Sequence, residues 1–536
     1  MTLRTTNMAK NRRKLRVCFL TLYNFAKVQP VSLANLCLGS SIYHSELNSS
    51  VEMYFPSFDN EKEPSTYIAE QLLALQPDIV VMGCYVWNET ACQDITKFIK
   101  QINPNICVWM GGVNVLYSSE GFSELYGGVD VFIRGEGEDV ITKLVELSLE
   151  GSDRPDFLAK ATQLFGVSDH NSFDNKTSER LVVDLEATFS PYLAYDMPMS
   201  LFDYIGGDYT YIFMETSRGC VYSCAFCSFD SQKLGFRHYP LERISKEIRV
   251  FCEHNVEQIF FCDAIFGGKK NNAKKLLKML EENRPTYLSE GVLHETFLYA
   301  YFRPELLDAE FCFLLSTSKF SMVQLGIQTV NPSVDGCMRR NNISKIEQNM
   351  PILRLNKVPF QIDMIVGFPG DTLSGFADSL QFVIEVCRPS NFRAYTLAIN
   401  PGTPLENLVH SKGNAWLRYH PVNRKVISTY SFDENDMNEM LSIGDVFVGL
   451  YDYLVDAKAD DSKFSIQYFS DFYQFLKYKE TKIFEEILQS HQYNDKSSLF
   501  SPMIRKFDQS MDCSIDSRRV IYGKNYTRGF ANEFSD

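Results

Sequence analysis

The sequence predicts an α/β protein with two successive strand–helix domains and a helical end. Three observations carry this. Short apolar strand runs alternate with helical runs over residues 15–150. The same alternation returns six times over 211–404. After 405 the strand runs stop and aromatic residues recur at helical spacing. Repeated strand–helix units give parallel sheets, because each helix carries the chain back for the next strand.

In the first domain, Leu15–Leu22, Val51–Phe55, Asp78–Cys84, Ile106–Met110 and Val129–Ile133 read as strands. Val31–His44, Ser65–Leu75, Glu89–Ile102 and Asp139–Leu149 have helical apolar spacing. This is a doubly wound sheet, on which ligands sit beyond the strands' carboxyl ends. Those ends are Tyr23–Gln29, Tyr85–Asn88, Gly111–Asn114 and Arg134–Glu138. Gly151–Arg180 is polar with weak periodicity, and 151–210 reads as a linker, with Gly206-Gly207 as a turn before the next strand. Met1–Lys14 and Ser510–Asp536 read as loose tails.

In the second domain the strands are Tyr211–Glu215, Gln258–Cys262, His294–Ala300, Ser321–Gly326, Phe360–Val366 and Phe392–Ala398. Most gaps between them have helical patterns, so a partial (β/α)6 barrel is expected over 211–404, with chemistry at the strand C-termini. Residues 405–536 form a mostly helical capping region, with helices over Asp433–Leu454 and Phe464–Leu488. Its aromatics (Tyr451, Tyr468, Phe469, Phe472, Tyr473) read as core before they read as a substrate cage.

The net charge of −14 argues against a nucleic-acid binder that works by bulk attraction, although a local basic pocket is compatible with it. No eighteen-residue apolar run occurs, so no membrane span is expected, and Met1–Lys14 lacks the apolar core of a signal peptide. The scattered cysteines suggest a reducing, cytoplasmic setting.

The first barrel strand is followed by T-S-R-G-C-V-Y-S-C-A-F-C, with Cys220, Cys224 and Cys227 on one short loop. Three thiolates on a loop suit a metal centre, and iron–sulfur clusters are held by such thiolates. Zinc calls for a fourth nearby ligand, and His238 and Cys252 do not repeat a zinc spacing. The Cys-x-x-x-Cys-x-x-Cys spacing, with Phe226 before the last cysteine, resembles the signature of the radical S-adenosylmethionine (SAM) enzymes. The resemblance implies a [4Fe–4S] cluster on Cys220, Cys224 and Cys227, with SAM on the open iron.

Further segments, on successive strands, resemble that family's SAM site. Asp263, in F-C-D-A-I-F-G-G, matches the acidic residue that contacts the SAM amino group. Arg303, in F-R-P-E, is a candidate for the SAM carboxylate. Gln328, in G-I-Q-T, falls near the ribose or methionine. Gly367 and Pro369, in G-F-P-G-D-T, match the adenine loop. In the first domain Y-V-W-N (Tyr85, Asn88), G-G-V-N-V (Gly111, Gly112) and R-G-E-G-E (Gly135, Glu136) resemble the flavodoxin-like cobalamin-binding domain that precedes many radical SAM barrels. The Asp-x-His-x-x-Gly motif for the lower cobalamin ligand is absent, as it commonly is in that subgroup.

The resemblance as a whole implies a cobalamin-dependent radical SAM enzyme that methylates an unactivated carbon of a small molecule or peptide. It also implies an electron donor such as flavodoxin or ferredoxin. Cyclisation, rearrangement or oxidation on the same scaffold stays open. A methylthiotransferase and a non-catalytic cobalamin sensor are the remaining alternatives.

Overall fold

The computed structural model describes residues 13–24, 32–118, 121–151, 153–176, 179–193, 211–229, 235–334, 338, 341–489 and 493–518. The expected turn at Gly206-Gly207 and most of both terminal tails lie outside the described residues. The chain divides into two compact units: Met1–Phe213 with Tyr239–Glu257, and Met214–His238 with Gln258–Asp536.

In the first unit the strands are β1 (Leu15–Tyr23), β2 (Val51–Tyr54), β3 (Ser57–Asp59), β4 (Ile79–Gly83), β5 (Cys107–Gly111), β6 (Val131–Ile133) and β7 (Val167–Ser168). The sheet order is β2-β1-β4-β5-β6-β7, and β3 also pairs with β1. Pro56 separates β2 from β3, but both lie parallel to β1, so they act as one interrupted strand. Counted that way the order is that of flavodoxin-like doubly wound sheets.

Alternation along the strands explains the two covered faces. Val17, Phe19, Val81 and Trp109 pack with α1 (Leu33–Tyr43), α5 (Glu138–Leu149) and α6 (Arg154–Ala161) through Leu36, Ile42, Ile141, Leu144 and Phe157. Cys18, Leu20, Val80, Met82 and Met110 pack with α2 (Ser65–Ala74) and α3 (Glu89–Ile102) through Ile68, Leu72, Ile95 and Ile99. A short α4 (Val113–Tyr117) follows β5.

The linker expectation is corrected here. Residues 151–193 do not form a loose connector. Asp153 caps α6 by accepting from the Asp156 amide. Phe157, Ala161 and Val167 are buried in the first unit's core. β7 pairs antiparallel with β6, and Leu181 forms a parallel bridge to Gly135.

The second sheet runs β13-β12-β11-β10-β9-β8, the reverse of chain order. Its strands are β8 (Tyr211–Met214), β9 (Gln258–Phe261), β10 (Phe297–Phe302), β11 (Met322–Gln328), β12 (Phe360–Val366) and β13 (Asn391–Thr396). The pairs from β9 to β13 are parallel. The intervening helices are α7 (Leu241–Glu253), α8 (Lys270–Glu282), α9 (Ala309–Thr317), α10 (Ile343–Leu355) and α11 (Leu373–Gln381). Leu298, Ala300, Phe302, Val323, Leu325 and Ile362 are buried on one face, and Phe302 meets Phe311 of α9 at 5.8 Å. The alternate residues Tyr299, Tyr301, Gln324, Gln361, Asp363 and Arg393 share the other face.

Two differences from expectation have local causes. The run His294–Ala300 is not one strand. Thr286–Ser289 and Val292–Glu295 form a separate hairpin, turned at Glu290-Gly291 with positive φ at both residues, and the barrel strand starts at Phe297. Residues 510–518, read from the sequence as part of a loose tail, are the end of a helix over Tyr493–Arg518.

Beyond the sheet lie α12 (Pro404–Lys412), α13 (Glu434–Asp456), α14 (Ile466–Lys479), α15 (Thr481–Gln489) and α16 (Tyr493–Arg518), with one hairpin at Leu417–Tyr419 and Val426–Thr429. Asp433 and Asp436 form a capping box at the start of α13. Tyr451, Phe469, Phe472 and Tyr473 are buried, so the aromatic stripe is core. Tyr451 packs on Phe392 of β13 at 5.2 Å and donates to the Pro389 carbonyl, which fixes α13 to the last barrel strand.

Candidate functional site: the cysteine loop and the first sheet's rim

The cysteine loop leaves β8 and is closed by a small clamp. Ser217–Arg218 pairs antiparallel with Arg237–His238. Gly219, at φ +84°, lies against the Gly235 backbone with no room for a Cβ. Cys220 is buried, and Cys224 and Cys227 are half-buried. The Cys227 amide donates to the Cys224 carbonyl at 3.1 Å. Among the described residues no three His, Cys, Asp or Glu side chains stand in metal-holding geometry, and the three cysteines share one loop.

Other strand ends hold this loop in place. The Ala225 amide donates to the Met338 carbonyl at 3.1 Å, and the Ala225 carbonyl accepts from the Leu405 amide at 2.9 Å. Asn400 Nδ2 donates to the Phe226 carbonyl at 3.3 Å. The Phe226 ring meets Phe368 edge-on at 5.2 Å, which joins the loop to G-F-P-G. The Arg303 guanidinium lies 4.2 Å from the centre of the Tyr222 ring.

Asp263 follows β9 and is fully buried. Its carboxylate accepts from the Thr216 amide at 3.1 Å, from Thr216 Oγ1 at 2.7 Å and from the Ser217 hydroxyl. Burial pushes its carboxyl up to about 7, against the pull of the Ser217 and Thr216 donors. Through these donors Asp263 anchors the base of the cysteine loop. Arg303 forms a two-pronged pair with Glu305, at 2.6 and 3.1 Å.

Gln328 is different. It ends β11 at a bulge, with φ +71°, and its Oε1 is buried with no partner. Left-handed backbone in a non-glycine residue and an orphaned buried acceptor are both unfavourable. They fall together on a residue that faces a strand-end loop. Gly367 has φ +100° and leaves its backbone close to Met437, while the Gly370 amide donates to Ser431 Oγ at 3.0 Å. Pro369 lies between them. Asp371 then accepts from Asn331 Nδ2 at 2.6 Å, which joins the G-F-P-G-D loop to the segment after Gln328.

Sequence reasoning missed Asp363. It stands on the sheet face away from the helices, accepts from Gln361 Nε2 at 2.8 Å and from Gln324, and its carboxyl is pushed up by burial. Its signal in the sequence, one charged residue in an otherwise uncharged strand, was present in F-Q-I-D-M-I-V.

The rim of the first sheet also spends its expected ligands on itself. Asn88 Oδ1 accepts from the Tyr85 amide at 2.8 Å, and its Nδ2 donates to the Gly83 carbonyl at 3.0 Å. Gly112, at φ +97°, approaches the Cys84 backbone so closely that a Cβ would stand 2.6 Å from the Cys84 oxygen. The Gly111 carbonyl accepts from the Cys84 amide at 2.8 Å. Gly135 abuts Leu181, and Glu136 Oε2 accepts from the Val183 amide at 2.8 Å. Asn88, Gly112, Gly135 and Glu136 thus shape the rim through these contacts. Tyr85 stacks on Trp87 at 4.6 Å and 2°, and Trp87 is 52% exposed, which leaves a flat aromatic platform at the strand end.

Residues 214–383 match the Radical SAM superfamily model, and residues 48–145 match the B12 binding domain model. The 2-(S-pantetheinyl)-carbapenam-3-carboxylate methyltransferase of Streptantibioticus cattleyicolor is 28% identical over 343 residues, covering 61% of this chain and 48% of its own. The cobalamin-dependent radical SAM methyltransferase TokK of Streptomyces tokunonensis is 28% identical over 344 residues, covering 62% and 48%. The chain thus spans about half the length of these curated relatives. The structure of the radical SAM methyltransferase TsrM from Kitasatospora setae with cobalamin and [4Fe–4S] cluster superposes with a TM-score of 0.61 at 13% identity, over 93% of this chain and 100% of that one. This second likeness concerns the fold.

Fold and matches together define a B12-binding domain followed by a radical SAM barrel. Residues 214–383 carry the Radical SAM superfamily domain, whose cofactors are a [4Fe–4S] cluster and SAM, and residues 48–145 carry the B12 binding domain, whose cofactor is cobalamin.

Proposed function

We propose that this chain is a cobalamin-dependent radical SAM methyltransferase acting on an unactivated carbon of a small molecule or peptide. The observation that carries the reading is the pairing, in one chain, of a three-cysteine loop at the first barrel strand with a B12-binding sheet. The donor set fits a cluster: Cys220, Cys224 and Cys227 are three cysteines on one loop clamped at both ends. When bound, the cluster and SAM supply a 5′-deoxyadenosyl radical, and cobalamin supplies a methyl carrier.

The chain's own residues do the placing. Asp263 holds Thr216 and Ser217, and through them the start of the loop. Phe226 and Phe368 lock the loop against G-F-P-G, where Gly367 and Pro369 present backbone to a flat adenine. Gln328 offers an unsatisfied carboxamide oxygen to a SAM hydroxyl or ammonium. Asp363 and Gln324 form a polar layer that orients donors on the sheet's inner face. Tyr85 and Trp87 offer a flat surface to the corrin, with Gly111 and Gly112 leaving backbone room beside it.

The scattered cysteines, without a regular framework in the sequence, support a reducing cytosol as the setting, and no described helix is long and apolar enough to cross a membrane. Anaerobic reconstitution tests the proposal through iron, sulfide and cobalamin content, followed by product mass. Cobalamin together with a product one methyl heavier is expected. A full cluster with SAM cleavage but an unmethylated product would move the reading to a radical rearrangement or oxidation.

A further inference from the structure

The chain carries a net charge of −14, yet one segment runs against it. Lys269, Lys270, Lys274, Lys275 and Lys278 fall in ten residues, with no Asp or Glu from Lys269 to Leu280. They lie at the start and along α8, with Lys269 as its N-cap. Cations at a helix N-terminus oppose the macrodipole, and Lys270–Lys274 and Lys274–Lys278 are like-charge pairs one turn apart. The segment therefore works against its own helix. Lys270 pairs with Asp308, and Lys274 with Glu310 and, at 3.7 Å, with Asp308. Lys269, Lys275 and Lys278 are exposed and make no ion pair among the described residues.

This strip is built onto the cysteine loop. Gly268, one residue before Lys269, is packed on the Phe236 ring with no space for a side chain. Asn272, in the first turn, bonds His238 Nε2 at 2.5 Å. Arg237–His238 is the far arm of the clamp that closes the loop. Asp263, the loop's anchor, stands just ahead on the same strand-end segment.

We propose that the exposed face of α8 is the docking surface for a small acidic one-electron carrier protein of the flavodoxin or ferredoxin kind. The inference rests on the radical SAM reading, since a cluster at the loop is what needs an electron delivered there. Docking makes and breaks no covalent bond; the carrier is oxidised by one electron and the cluster is reduced by one. Charge complementarity of this sort speeds encounter and fixes orientation. The strip spans about 14 Å along the helix at 1.5 Å per residue. A small carrier matches that length, whereas a nucleic acid or a membrane extends beyond it onto the acidic remainder.

The test uses the full chain with Lys269→Glu, Lys275→Glu and Lys278→Glu combined, since all three side chains are exposed and outside the site. Calorimetric titration with flavodoxin is expected to give about tenfold weaker binding for the variant at low salt, and a flatter salt dependence. SAM cleavage driven by reduced flavodoxin falls with it, and cleavage driven by dithionite is unchanged. Equal flavodoxin binding by both proteins, or by neither, overturns the proposal. So does a wild type that binds single-stranded RNA or phosphatidylserine vesicles through these lysines but not flavodoxin. Absence of dithionite-driven cleavage in the wild type would sink the radical SAM reading instead, while the titration still decides the docking surface.

Discussion

Asp263 and Thr216 stand 47 residues apart in sequence and are joined twice: the Thr216 amide and hydroxyl both donate to the Asp263 carboxylate, at 3.1 and 2.7 Å. The contact ties the end of the second barrel strand to the start of the cysteine loop. It is fully buried, so the carboxylate has only these donors and Ser217 in place of water.

That burial gives a pH dependence with a definite sign. The folded chain holds the Asp263 proton up to about pH 7, whereas an unfolded carboxyl releases it near 4. The folded state binds more protons across this window, so its stability falls as pH rises from about 4 to about 7 and is flat beyond. Asp263→Asn removes that contribution, on the order of 2–4 kcal/mol. Denaturant titrations at several pH values should show a shallower decline for the variant. An unchanged slope would separate Asp263 from the effect.

Gln328→Gly separates ligand binding from folding. Glycine accepts the φ of +71° without strain, so stability should hold or rise by about 1 kcal/mol. The carboxamide is lost, and SAM affinity should fall about tenfold, the equivalent of one hydrogen bond of roughly 1.4 kcal/mol. Thermal melts and SAM titrations report the two quantities independently. Wild-type SAM affinity in a stable variant would remove Gln328 from the site.

Cys224→Ala should abolish the cluster and SAM cleavage while leaving far-UV circular dichroism unchanged, because Cys224 is half-buried and its neighbours are held by backbone bonds at Ala225 and Phe226. Iron analysis and a 5′-deoxyadenosine assay check it. Normal cleavage by the variant would refute the cysteine loop as the centre of the chemistry.

Gly112→Ala and Gly121→Ala make a matched pair. Both glycines have positive φ, but only at Gly112 does a Cβ meet backbone, 2.6 Å from the Cys84 oxygen; at Gly121 nothing lies within 4 Å. Gly121→Ala should cost about 1 kcal/mol and Gly112→Ala about 2–4 kcal/mol, with cobalamin binding weakened only in the latter. Equal costs would mean that strain, and not the close approach at the rim, decides.

Much of the architecture is legible in the sequence because its signals are local. The continuous apolar run in D-I-V-V-M-G-C gives a central strand, and the order of strand-end segments gives the barrel. What was not legible depends on distant partners. Gly135 and Glu136 meet Leu181 and Val183, more than forty residues on. Asp263 meets Thr216, 47 residues back. The short β7, two residues long, carries too little pattern to be found, although D-R-P-D at 153–156 did announce the helix before it. The bulge at Gln328 leaves no trace in G-I-Q-T.

The seam at Leu181 also has a meaning in time. The Leu181 amide donates to the Arg134 carbonyl at 2.9 Å, and the Glu136 amide donates back to the Leu181 carbonyl at 3.0 Å. A segment that a map of domains would draw as a tether therefore shares the opening equilibrium of β6. Its amides should trade hydrogen for deuterium as slowly as the neighbouring sheet edge, so that stretch of chain keeps the sheet's clock and not the solvent's.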